Sequence, residues 1–167
     1  MFKKWFGKKE KPTHEDAVAP LTGTIKPLEE VPDPVFAQKM MGDGIAIEPA
    51  DGEVVAPVDG EVVQVFPTKH AVGLRSEAGV ELLIHVGLET VSMNGEGFTA
   101  HVKAGDRVKK GQRLLTVDFG LVQQKAKSTI TPIIVTNGDV VASLQKTSET
   151  KATKGETVIF HIETNNA

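Results

Sequence analysis

A single imidazole interrupts the apolar run Leu82-Leu83-Ile84-His85-Val86-Gly87, and a second, His70, lies upstream beside Thr68. Strand side chains alternate, so Val80, Leu82, Ile84 and Val86 share one face and Glu81, Leu83 and His85 the other. The aliphatic face is the core side, and His85 therefore points away from the main core. A hairpin closed by a two-residue loop at Glu77-Ala78 makes facing positions sum to 155, which sets His70 opposite His85 with Cβ atoms about 5 Å apart. A slip of two residues keeps the two as diagonal neighbours, whereas a slip of one sends them to opposite faces. Thr68 shares the parity of His70 and can hydrogen-bond its ring.

Two neighbouring imidazoles serve three kinds of chemistry. Neutral imidazoles ligate Zn²⁺, but a catalytic site takes three protein ligands and an open position, with Asp43 and Glu89 as candidates for the third. Acid–base hydrolysis needs a nucleophile and an oxyanion hole, and no Gly-x-Ser-x-Gly element is present. The third is covalent phosphoryl transfer, in which a neutral imidazole nitrogen attacks while its other nitrogen keeps the proton on an acceptor. The Gly87 carbonyl can be that acceptor, and the second imidazole can donate to the phosphoryl oxygens as charge builds. Gly42-Asp43-Gly44 lacks the spacing and lysine of a nucleotide-binding loop, so the expected donor is a phosphoprotein. His14 lies in a polar tail, and His101 and His161 lack comparable neighbours; none is given a role.

The elements that must hold this pair read as β structure. The 167 residues contain no Cys and no Tyr, while Val, Ile, Leu and Gly recur at short intervals, which favours many short strands. Ala19-Pro20-Leu21-Thr22-Gly23-Thr24-Ile25 is echoed by Ala56-Pro57-Val58-Asp59-Gly60-Glu61-Val62, as suits a sandwich with two similar halves. The expected fold is an all-β antiparallel sandwich or partly closed barrel with short helices. One helix is expected over Asp33 to Gly42, with a cap residue, Pro at its first position and a terminating Gly. A second is expected within Gly120 to Lys127, stopping before Thr131-Pro132. The last strands are expected at Ile133 to Thr136 and Thr157 to Ile162.

Residues 1–12 carry five lysines and one glutamate, a formal +4, so with −3 overall the remainder holds −7. An acidic body repels nucleic acid and attracts basic partners. Residues 1–16 read as a basic flexible leader and 17–167 as a single domain. Phe2, Trp5 and Phe6 share one helical face among lysines, which would give residues 1–12 at most a weak peripheral membrane contact. Without cysteines, a secretory signal or a spanning segment, the chain is expected in the cytoplasm.

From about Val18 onward the chain closely resembles the glucose-type enzyme IIA of the bacterial sugar phosphotransferase system. The resemblance rests on Val31-Pro32-Asp33-Pro34-Val35-Phe36-Ala37, Gly42-Asp43-Gly44-Ile45-Ala46-Ile47, Ala56-Pro57-Val58-Asp59-Gly60, Gly79-Val80-Glu81-Leu82, His85-Val86-Gly87, Gly95-Glu96-Gly97-Phe98 and Lys125-Ala126-Lys127-Ser128-Thr129. It implies a β-sandwich of the duplicated hybrid motif type, in which His85 accepts phosphate from phospho-HPr and passes it to the IIB domain of a sugar permease. By position, His70 is the second active-site histidine and Thr68 its hydrogen-bond partner. The resemblance implies no required cofactor, with Zn²⁺ at His70 and His85 only when a docked regulatory target adds a carboxylate. Glu89 stands where some members have Asp, and Val72, Leu83 and Val86 stand where some have aromatics.

The expected docking surface is an apolar collar of Val35, Phe36, Met40, Met41, Phe66, Val72 and Leu83. Met suits a surface that receives several partners, and Asp43 and Glu89 would steer basic ones. Nothing in the sequence demands more than a monomer. Against this reading stand a zinc peptidase, for which a His-x-His pair is missing, and a lipoyl- or biotinyl-type carrier, for which the exposed turn lysine is missing.

Overall fold

The computed structural model describes residues 12–165. The Phe2, Trp5 and Phe6 face, and all of the basic leader up to Lys11, lie outside the described residues. Among the described residues every strand pairing is antiparallel, and the strands form three open sheets rather than a closed barrel.

The largest sheet has eight strands. In spatial order they are β13 (Lys151–Ala152), β2 (Gly23–Pro27), β3 (Asp43–Pro49), β11 (Thr131–Val135), β7 (Glu81–His85), β6 (Ala71–Ser76), β5 (Gly60–Val65) and β9 (Arg107–Val108). A three-stranded sheet joins β1 (His14–Val18), β14 (Val158–Thr164) and β12 (Val141–Lys146), and another joins β4 (Glu53–Val55), β10 (Arg113–Val117) and β8 (Phe98–Ala100). His14, Glu15 and Asp16 thus belong to β1, paired with Glu163, Ile162 and His161, so three residues of the span expected as leader form strand. Among the described residues no helix is long and apolar enough to cross a membrane.

The two sequence echoes are structural counterparts. Val18 N–H donates to the Pro57 carbonyl and Val55 N–H to the Pro20 carbonyl, each at 2.9 Å. Each copy thereby hydrogen-bonds the other in the same way. Gly23 and Gly60 open β2 and β5 against a neighbouring carbonyl, and a Cβ on either would lie 2.1 Å from that oxygen. Only glycine allows so close a backbone approach.

Two apolar clusters flank the eight-stranded sheet. The main one takes Ile25, Ile47, Val62, Val72, Leu74, Leu82, Ile84 and Ile133 from its inner face, packed with Val54, Leu115, Phe160 and Ile162 from the two smaller sheets. The outer face carries a second cluster, Ala46, Ala71, Leu83 and Ile134, covered by Leu28, Val31, Phe36, Leu88 and Ile130. Leu83 buries against this second cluster while Leu82 and Ile84 bury against the first, as period-two alternation requires.

The β6–β7 hairpin is one residue out of the expected register. Ala71 faces His85, Val72 faces Ile84 and Arg75 faces Glu81, so facing positions sum to 156. The loop has three residues, Glu77-Ala78-Gly79, with Ser76 N–H donating to the Val80 carbonyl at 2.8 Å. Gly79 takes the left-handed position at φ 90°, the geometry of a three-residue hairpin loop rather than a two-residue one.

Both short helices form, with altered ends. In α1 (Pro34–Ala37) Asp33 caps the start, its carboxylate accepting from Val35 N–H at 3.0 Å. The helix ends earlier than Gly42. Lys39 takes the left-handed position at φ 59°, Met40 N–H donates to the Val35 carbonyl and Lys39 N–H to that of Phe36, each at 3.0 Å. This is a Schellman closure with a lysine where glycine is commoner. In α2 (Phe119–Lys125) Asp118 caps the start by accepting from Leu121 N–H. β11 begins at Thr131 and contains Pro132, which faces Ala46 of β3, whereas pairing with β7 starts only at Ile133. The proline that cannot donate therefore sits where one neighbour is absent.

Candidate active site

His85 ends β7 on the outer face of the large sheet, and His70 precedes β6 without joining its ladder. Between β5 and β6 the chain makes a compact turn: Lys69 N–H donates to the Phe66 carbonyl at 2.7 Å, Phe66 N–H to that of Ala71 at 3.0 Å, and Lys69 takes φ 61°. Continued alternation from Val72 and Leu74 would point His70 inward. The turn points it outward instead, so the one-residue shift that would separate a facing pair within the ladder leaves these two together. Val86 N–H donates to the His70 carbonyl at 2.7 Å, tying the two segments, and the imidazole rings meet edge to face with centroids 5.0 Å apart and planes at 78°.

Each ring is held through its Nδ1. His85 Nδ1 lies 2.8 Å from the Gly87 carbonyl, and because a carbonyl only accepts, Nδ1 carries the proton and Nε2 the free lone pair. His70 Nδ1 lies 2.5 Å from the Thr68 hydroxyl. When that hydroxyl donates, His70 keeps its proton on Nε2. Gly87 holds its carbonyl in place from a left-handed conformation at φ 73°. A Cβ there would come within 2.7 Å of Thr90 Cγ2 and 2.9 Å of the Ser128 carbonyl oxygen. The Thr90 hydroxyl donates to the Val86 carbonyl at 2.7 Å and braces the same turn.

Two phenyl rings enclose the pair, Phe36 at 5.0 Å from His85 and Phe66 at 5.4 Å from His70. Burial pushes the His70 imidazole down from its ordinary 6.5 to about 4, with His85 adding to the effect. Burial also lowers His85, opposed by its hydrogen bond to Gly87 and by the charge of Asp33. Both rings are therefore neutral near pH 7, the form in which an imidazole is a nucleophile.

The ring of His85 opens into a cleft of about 340 Å³ lined by Val35, Phe36, Met41, Phe66, Leu83 and Glu89, together with Asp33, Thr90 and Val91. The last three are not expected there from sequence: Asp33 reads as a helix cap, and Thr90 and Val91 lie just past the strand. Met40 is exposed but outside the lining. Val72 does not belong to the collar. It faces Ile84, is 0 % exposed and packs in the main core, a consequence of the hairpin register. Asp43 is tied to Lys146 at 2.9 Å and to Lys39 at 3.6 Å, so two lysines share its charge.

Neither Asp43 nor Glu89 completes a ligand set with His70 and His85. Among the described residues the cluster of three or more metal-ligating groups within reach of one another is His14, Asp16 and His161, on another sheet. Two nitrogens alone do not make a closed zinc site, so this chain by itself does not fit Zn²⁺ at the histidine pair.

Residues 15–141 match the family model described as phosphoenolpyruvate-dependent sugar phosphotransferase system, EIIA 1. The chain is 57% identical over 162 residues to the PTS system glucose-specific EIIA component of Bacillus cereus, covering 97% of this chain and 98% of that one. It is 49% identical over 166 residues to the protein of the same name from Staphylococcus aureus, covering 99% and 100%. In structure it is similar to the glucose permease IIA from Mycoplasma capricolum, with a TM-score of 0.83 and 40% identity over 92% of this chain and 99% of that one.

Proposed function

This chain belongs to the EIIA 1 family of the phosphoenolpyruvate-dependent sugar phosphotransferase system, and on that footing we propose that it carries phosphoryl groups on His85, from phospho-HPr to the IIB domain of a glucose-type permease. The observation that supports this most directly is the His85 Nδ1 contact with the Gly87 carbonyl, which leaves Nε2 with its lone pair in the cleft beside His70. In the forward step the Nε2 lone pair attacks phosphorus. The bond from phosphorus to the donor imidazole breaks with its electron pair returning to that ring, and an N–P bond forms at His85. No base is needed, since the attacking nitrogen carries no proton.

His70 supports the transfer by donating a hydrogen bond from Nε2–H to the phosphoryl oxygens, a role that requires Thr68 to donate to its Nδ1. Such a preorganised donor acts where charge develops. The apolar rim of Val35, Phe36, Met41 and Phe66 excludes water and receives first one partner and then the other. The carrier works in the cytoplasm, needs no cofactor of its own, and takes Zn²⁺ at the histidine pair only if a docked regulatory target contributes a further ligand.

Incubation with phosphoenolpyruvate, enzyme I and HPr, followed by intact mass, tests the reading. One acid-labile phosphoryl group is expected, absent from His85→Ala. Label retained by that variant would overturn it.

A further inference from the structure

Away from the His70–His85 pair, the outer face of the β1–β14 ladder brings two imidazoles and two carboxylates together. The register sets His14 opposite Glu163 and Asp16 opposite His161, so all four side chains lie on one face, two from each strand. His14 Nε2 and His161 Nδ1 both lie 2.7 Å from the same Asp16 oxygen, and the two rings are stacked with centroids 6.5 Å apart and planes at 29°. On the far side of β14, β12 places Ser143 opposite Glu163 and Gln145 opposite His161, neutral groups rather than competing cations.

We propose that His14, Asp16 and His161 form a Zn²⁺ site that staples the N-terminal strand to the C-terminal one. Two imidazoles and one carboxylate are a ligand set zinc accepts, with the fourth position left to water, and their ligating atoms already lie within 4.8 Å of one another. The metal would take the place of the N–H protons that now point at Asp16. The fourth member has a separate role. Glu163 Oε2 lies 2.7 Å from His14 Nδ1, so when His14 ligates through Nε2 its other nitrogen donates to a carboxylate. That pairing fixes the tautomer and orientation of a metal-bound imidazole and raises its basicity. The ligands come from both ends of the domain, so an ion here holds β1 in the sheet.

Calorimetric titration of ZnCl₂ into the full chain carrying H70A and H85A, which removes the other histidine pair, tests the site. Saturable binding of one ion per chain is expected, lost in the same background with H161A added and weakened about tenfold with E163Q. Absence of saturable binding, or equal binding with and without H161A, would overturn the proposal. Co²⁺ added to the unaltered chain gives a second readout that does not depend on the variants folding. Paramagnetic broadening is expected at β1 and β14 amides, and broadening confined to residues around His70 and His85 would count equally against it.

Discussion

His70 and His85 meet edge to face at 5.0 Å although they are not cross-strand partners; Ala71 is the residue opposite His85. Their relation is set by the backbone bond from Val86 N–H to the His70 carbonyl and by the turn at Lys69. Each ring is then anchored through Nδ1, one on Thr68 and one on Gly87. The two Nε2 atoms are left free, and the proposed function gives one the part of electron-pair donor and the other that of hydrogen-bond donor.

That division of labour predicts an asymmetry between the two histidines. His85→Gln removes the nucleophile and should abolish labelling from phospho-HPr. His70→Gln removes a donor used in flight, so it should still accept one phosphoryl group but exchange it about 10²- to 10³-fold more slowly. Single-turnover transfer to a IIB domain, followed by quench and intact mass, measures both. Equal and complete loss of labelling in the two variants would contradict the assignment.

Burial of His70 also predicts a pH-dependent stability. Its folded-state pKa, about 4, lies below the ordinary 6.5, so between those values the unfolded chain binds the proton and the folded chain does not. Stability is therefore full above pH 6.5 and falls as the pH drops toward 4. Between pH 7 and pH 5 the single group accounts for about 2 kcal/mol. Urea denaturation at the two pH values should show a difference smaller by about that amount in His70→Gln than in the unaltered chain. An unchanged difference would mean that His70 is not desolvated.

How much of this is legible in the sequence depends on which physical rule governs each residue. The outward orientation of His85 follows from alternation alone, because Leu82 and Ile84 must both face the main core. The hairpin register does not follow, because Ser76-Glu77-Ala78-Gly79 suits either a two- or a three-residue loop, and Gly79 in the left-handed position selects the second. Val72 reaches the docking collar only through the two-residue register, and with the three-residue loop it falls in the core. The nearness of His70, expected on the wrong register, arises from a left-handed Lys69 that carries no glycine to mark it. The covering of the outer face by Leu28, Val31 and Phe36 is a long-range contact that no local period encodes. The surroundings of His14 are hidden for the same reason, since its neighbours His161 and Glu163 come from the far end of the chain.

Gly87 is expected to be intolerant of even one methyl group. At φ 73°, alanine is strained, and its Cβ would overlap Thr90 Cγ2 and the Ser128 carbonyl oxygen. Gly87→Ala should lose about 1–3 kcal/mol of stability. The lost stability should come with slower phosphoryl transfer, as the carbonyl that holds the His85 proton moves. Denaturant unfolding and the single-turnover rate read the two effects, and a variant with unaltered values of both would show that the turn is free to relax.

Val35 and Val72 separate docking from packing. Val35 is 39% exposed and lines the cleft beside His85, whereas Val72 is 0 % exposed within the main core. Val35→Asp places a charge on the rim without opening a cavity, so its stability should stay within about 0.5 kcal/mol of the parent. If the donor docks on this rim as proposed, a carboxylate replaces an apolar contact, and the concentration of phospho-HPr needed for half-maximal labelling should rise roughly tenfold. Val72→Ala should do the reverse. Removing two methyl groups from a filled core costs about 2 kcal/mol once the residual cavity is included, while the rim of the cleft is untouched. Measured together, concentration dependence of labelling and urea midpoint should move in opposite members of the pair. If Val35→Asp lowered stability and left labelling unchanged, the cleft would belong to the packing rather than to the surface that receives the donor.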